Sequence, residues 1–120
     1  MSNCPTVRSV LLTVWLRLVL NDRHHLGQLC EAVLTEYMVR RGYWVFRPLA
    51  NYGPADLICI NSYGDIVLLD SKSDNFRVNP GCTKPARIYR KRSSIQKLLN
   101  VRMAYVNAKT RTVYIKPPLD

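Results

Sequence analysis

The chain has 120 residues, 48% of them hydrophobic, which is enough for one domain with a modest core and too apolar for a disordered tail. Lys and Arg number 18 against 8 Asp and Glu, a formal charge of +10. Such an excess argues against a cationic partner and for a polyanion: nucleic acid first, an anionic membrane surface second.

The four cysteines, Cys4, Cys30, Cys59 and Cys82, form no CxxC pair, so a zinc ribbon or finger is not expected. No stretch reads as a convincing secretory signal, so the expected setting is reducing and cytoplasmic, with free thiols. Cys30 and Cys59 stand among apolar residues and read as small core fillers.

In chain order, residues 10–20, VLLTVWLRLVL, are too short to cross about 30 Å of hydrocarbon and are interrupted by Arg17. They read as an amphipathic helix with Leu11, Val14, Trp15 and Leu18 on one face, a candidate oligomer contact within residues 1–21. A second helix is expected over residues 22–41. Leu26, Cys30, Val33, Leu34 and Tyr37 recur at helical spacing, Arg40 and Arg41 suit the negative C-terminal end, and Gly42 is a stop.

Residues 43–46, YWVF, read as a short strand in which Tyr43 and Trp44 are assigned mainly to the core. After the loop LANYGP come ADLICIN and DIVLLDSKS, two strands around an SYGD turn in which Asp65 is a turn acid. Residues 75–94 carry Pro80, Gly81 and Pro85 and read as a loop excursion. SSIQKLLN supplies one or two helical turns capped by Ser93 or Ser94; VRMAYVN and RTVYIKP are the last two strands. The expected fold is α/β, a central mixed sheet flanked by helices in a single domain, with residues 22–118 as its body.

The chemistry concentrates where the apolar hairpin ends. Asp70 and Lys72 are two apart and share a strand face, and Asp56 opens the preceding strand. If the two strands pair, Asp56 and Asp70 meet at one sheet end, where two close carboxylates repel unless a divalent cation lies between them. Mg²⁺, a hard cation, suits that donor set, with the Ser71 carbonyl as a further ligand and Mn²⁺ as a substitute. Lys72 would position a water or steady charge in the transition state. A helix carboxylate would complete the metal shell: Glu31 borders the apolar stripe of the second helix and is the leading candidate ligand; Glu36, on the other border, is the alternative. His24 and His25 are adjacent and diverge by about 100° on a helix, which disfavours joint metal chelation.

Glu31, Asp56 and the run Asp70, Ser71, Lys72 together resemble the PD-(D/E)xK nuclease superfamily. Gly27 and Glu31 are similar to that family's GxxxE helix start. The closing YVNAKTRTVYIKP resembles the paired last strands of its group I intron-associated homing endonucleases, and archaeal-type Holliday junction resolvases are a second resemblance. Ala55 stands before Asp56, with Pro54 one residue earlier. The resemblance covers about residues 22–118. It implies a restriction-endonuclease-like sheet, Mg²⁺-dependent DNA cleavage, and catalytic roles for Glu31, Asp56, Asp70 and Lys72. A phage- or intron-type site-specific endonuclease is the first expectation. A junction resolvase and a catalytically silent nucleic-acid-binding protein are the alternatives.

ARIYRKRSSIQK gathers Arg87, Arg90, Lys91, Arg92 and Lys97 around Tyr89, a pattern suited to gripping phosphates, and Arg47 extends it. The expected partner is double-stranded or branched DNA. One active site per chain makes a homodimer or higher homo-oligomer the natural way to cut both strands.

Overall fold

The computed structural model describes Val14 and residues 22–50 and 52–119. The expected helix over residues 10–20 lies outside the described residues except for Val14, which is helical and half exposed. The described elements are α1 (Arg23–Arg40), β1 (Tyr43–Phe46), β2 (Leu57–Asn61), β3 (Ile66–Ser73), β4 (Phe76–Arg77), β5 (Ala86–Arg87), α2 (Ser94–Leu98), β6 (Arg102–Asn107) and β7 (Thr112–Lys116).

Asp22 caps α1: its carboxylate accepts from the N–H groups of His24 and His25, and these bonds hold its carboxyl below the usual carboxylate range. The helix ends at Arg41, and Gly42 follows at φ +88°, a left-handed conformation that costs glycine nothing. Thr35 returns its hydroxyl to the Glu31 carbonyl one turn back.

Strands β1, β2, β3, β6 and β7 form one sheet in that order. All neighbours are antiparallel except β3 and β6, which run parallel, so the sheet is mixed. The parallel pair needs a crossover, and residues 74–101 supply it, carrying the small β4–β5 ladder and α2. The β2–β3 turn is held by Asn61, whose side-chain oxygen accepts from the N–H groups of Tyr63 and Asp65 while its amide donates to the Asp65 carboxylate. Asp65 is therefore a turn acid.

Helix α1 covers one face of the sheet. Cys30, Leu34 and Met38 pack onto Leu57, Cys59, Val67, Leu69, Ala104, Val106 and Ile115. Both buried cysteines are free, and burial pushes the Cys59 thiol up to about 11. Strand alternation sends Leu68, Asp70, Lys72, Met103, Tyr105 and Tyr114 to the other face. There residues 89–92 lie over β6. Tyr89 meets Tyr105 edge-on, the Tyr105 hydroxyl accepts from Arg90 N–H at 2.8 Å, and Arg92 donates to the Val101 carbonyl. Tyr105 and Met103 are consequently buried.

One core assignment fails. Tyr43 packs against the core, but Trp44 is 61% exposed, because alternation along β1 turns Trp44 and Phe46 to the face that α1 does not cover. Among the described residues no helix is long and apolar enough to cross a membrane.

Candidate metal and phosphate site

The site forms where β2 gives out. The last paired residues of the hairpin are Leu57 and Leu69, and Asp56 N–H still reaches the Leu69 carbonyl at 2.8 Å. Beyond that point β3 continues alone on this side, and Asp56 folds its side chain across the gap. Ser71 N–H donates to Asp56 Oδ2 at 2.8 Å. The N–H and C=O of a strand residue point to the same side, so the Ser71 carbonyl also faces this gap. Asp56 thus takes the place of the missing ladder residue with a carboxylate.

Asp70, one residue earlier on β3, is buried, at 8% exposure. It lies beside the Asp56 carboxyl, which burial first, then the neighbouring Asp70, and to a lesser degree the Glu31 charge push up to about 6; the Ser71 N–H acts in the opposite sense. Two acids in contact at the end of a dry strand are an unfavourable arrangement for a bare protein at neutral pH. A divalent cation removes that penalty. Lys72 Nζ stands 3.5 Å from Asp70 Oδ1, with its side chain 42% exposed, so it is a loosely held, reachable cation.

Glu31 comes from α1 on the opposite side of the gap. It lines a cleft of about 190 Å³ with Asp56, Arg47, Pro48 and Tyr52, and its carboxylate pairs with Arg47 at 3.4 Å. Glu36 is elsewhere: Arg40 holds it at 3.0 Å and Arg111 of the β6–β7 turn meets its other oxygen. Of the two helix acids, Glu31 is the one at the site. Among the described residues, no three His, Cys, Asp or Glu side chains converge closely enough to hold a metal ion together. Glu31 therefore stands at the rim, and the direct donors brought together are Asp56, Asp70 and the Ser71 carbonyl. That set fits Mg²⁺, which keeps several of its waters and takes only one or two carboxylates from a protein.

The cations divide into two groups. Arg87 is occupied: it grips Asp74 with both arms, at 2.7 and 3.2 Å, and lies over the rings of Phe76 and Tyr114. The Asp74 side chain is only 6% exposed, so this pair fastens the β4–β5 ladder and takes Arg87 out of the phosphate-gripping set. Arg47 is paired with Glu31, at the edge of the gap. Arg90, Lys91 and Lys97 are exposed. Lys91 and Arg92 line an open groove of about 700 Å³ whose floor holds Asp70 and Lys72. The same groove contains Gln96, which sequence reasoning missed. Its amide donates to Asp70 Oδ2 at 2.9 Å. The signal was present as the Ser93–Gln96 capping box, but a cap motif gives no hint of a carboxylate 26 residues upstream. His24 and His25 are exposed at the start of α1, and only His25 has a charged neighbour, its own cap Asp22 at 3.4 Å.

No family model matches the chain, and no curated protein matches it. Among solved structures the fold is similar to a bacterial homing endonuclease, I-Ssp6803I, at 17% identity and a TM-score of 0.48. The match covers 74% of this chain and 64% of that one, so it leaves over a third of that protein's length unmatched. A likeness at that level carries no argument about activity, which must be read from the side chains themselves.

Proposed function

We propose that the chain is a metal-dependent DNA endonuclease that hydrolyses phosphodiester bonds. The observation that carries this reading is the contact between Asp56 and Asp70 at the end of β2, beside Lys72 and below Lys91 and Arg92. In this reading Asp56, Asp70 and the Ser71 carbonyl hold Mg²⁺, or Mn²⁺ in its place. Bound there, the metal supplies a Lewis acid for the scissile phosphate and lowers the pKa of a water. Lys72 orients the attacking water and offsets the negative charge that develops on the phosphate. Glu31 stands across the gap as an acceptor for a water proton, and its pairing with Arg47 keeps it aimed. Arg90, Lys91, Arg92 and Lys97 hold the phosphate backbone on either side.

Within this class we favour a site-specific homing-type enzyme acting on duplex DNA as a homodimer or higher homo-oligomer in an intracellular setting. A junction resolvase is the alternative substrate class. The test is cleavage of a four-way junction against a linear duplex of the same sequence in Mg²⁺. Preferential duplex cleavage supports the homing type, and preferential, symmetric junction cleavage replaces it with the resolvase. One observation favours a second reading: the three acids do not converge as a metal-binding group. A nucleic-acid-binding protein without catalysis would bind either DNA and cut neither.

A further inference from the structure

We propose that Gln96 is a positioning residue for this site: its amide fixes the aim of the Asp70 carboxylate and fastens it to the base of the cationic segment at 90–92. The inference rests on the reading of Asp70 as a metal ligand. Gln96 Nε2 donates to Asp70 Oδ2 and to the Pro54 carbonyl, both at 2.9 Å, and Gln96 Oε1 accepts from Ser93 N–H at 2.9 Å. Both amide hydrogens are therefore used, and so is the oxygen. Turning the amide over would set its oxygen against two acceptors and its NH₂ against a donor, so only one orientation is tenable.

Three segments meet in that one group. Pro54 lies in the loop before β2, two residues ahead of Asp56, Asp70 lies on β3, and Ser93 follows Arg92 directly at the N-cap of α2. The bond to Oδ2 leaves Oδ1 of Asp70 held only by the loose ion pair with Lys72 Nζ at 3.5 Å. A carboxylate pinned at one oxygen presents the other in a fixed direction, which is what a hard cation with strict geometry needs. The same tether means that the backbone carrying Arg90, Lys91 and Arg92 is in register with the carboxylate. A phosphate held by those cations is then at a set distance from the acids.

Calorimetric titration of Mn²⁺ into the full chain without DNA tests this, comparing the unaltered protein with Gln96→Met, Ser93→Ala and Asp70→Asn. Gln96→Met keeps side-chain length and loses every amide bond. Ser93→Ala loses the hydroxyl cap, where Ser93 Oγ accepts from Gln96 N–H at 3.3 Å, and leaves the amide on Asp70. No residue of α2 is buried, so both variants keep the core, and a thermal melt checks this. The expected result is Mn²⁺ binding weakened about 10-fold or more by Gln96→Met, unchanged by Ser93→Ala and abolished by Asp70→Asn. Binding by Gln96→Met equal to that of the unaltered protein overturns the proposal, as does an equal loss in Ser93→Ala, which would make Gln96 a helix cap only. If the unaltered protein and Asp70→Asn behave alike, the metal-ligand reading itself fails, and the role of Gln96 falls with it.

Discussion

Ser71 N–H donates to the Asp56 carboxylate where the β2–β3 ladder stops, so one side chain occupies the position of the next backbone partner. That bond favours the ionised form of Asp56, yet burial and the Asp70 carboxyl outweigh it and leave Asp56 titrating near 6. A carboxyl whose folded value exceeds its ordinary 3.8 stabilises the fold below that lower value. Its contribution is lost as pH rises through about 6. Asp56→Asn, which never ionises, should therefore be more stable than the unaltered chain above that pH, by on the order of 1 kcal/mol at pH 8 without divalent ions. The advantage should vanish below pH 4. Urea melts at the two pH values, with chelator, check this; an Asn variant less stable at pH 8 would mean that Asp56 is held by a cation in the fold itself.

Lys72 separates a catalytic from a structural cation. Its pair with Asp70 is long and half exposed, so its loss should cost little stability. Lys72→Ala should lower the cleavage rate at saturating metal by roughly 10²-fold, with a melting temperature close to the parent's. Near-normal rates would return it to a surface ion pair.

The basic segment should behave as two groups. Replacing Arg90 and Arg92 with Ala should weaken DNA binding and make the fall of log affinity with log salt shallower by up to about 2 units. The change should be equal for specific and random duplex, because phosphates carry no sequence information. Arg87→Ala should leave that slope alone and instead destabilise the fold by about 3 kcal/mol, since it strands a buried Asp74. Binding isotherms at several salt concentrations, paired with urea melts, distinguish the two.

Much of this was legible in the residues. The helical spacing of Leu26, Cys30 and Leu34, the YWVF and LICIN runs and the Ser93 cap each produced the expected element, because local propensity and burial pattern agree there. The meeting of Asp56 and Asp70 followed from the hairpin register, which a Gly-containing turn fixes. What could not be read were contacts between distant segments. Arg87 looked like one more free cation until Asp74 and Tyr114 came to it, 13 and 27 residues away. The exposure of Trp44 depends on which sheet face a helix covers, and no strand sequence states that. The contact of Gln96 with Asp70 likewise depends on which way α2 lies across the sheet.

The central claim is that Asp56 and Asp70 form a metal site that cuts DNA, and supercoiled plasmid nicking tests it most directly. The unaltered protein should convert supercoiled to open-circular and linear DNA in Mg²⁺ or Mn²⁺ and do nothing in chelator. Ca²⁺ should support binding with little or no cleavage, being larger and less strict in geometry. Asp70→Asn, which keeps the side-chain volume and the acceptor for Gln96 but removes the charge, should bind the plasmid and leave it uncut in Mg²⁺. Cleavage by Asp70→Asn at the parent rate, or no metal-dependent cleavage by the parent at all, would contradict the account.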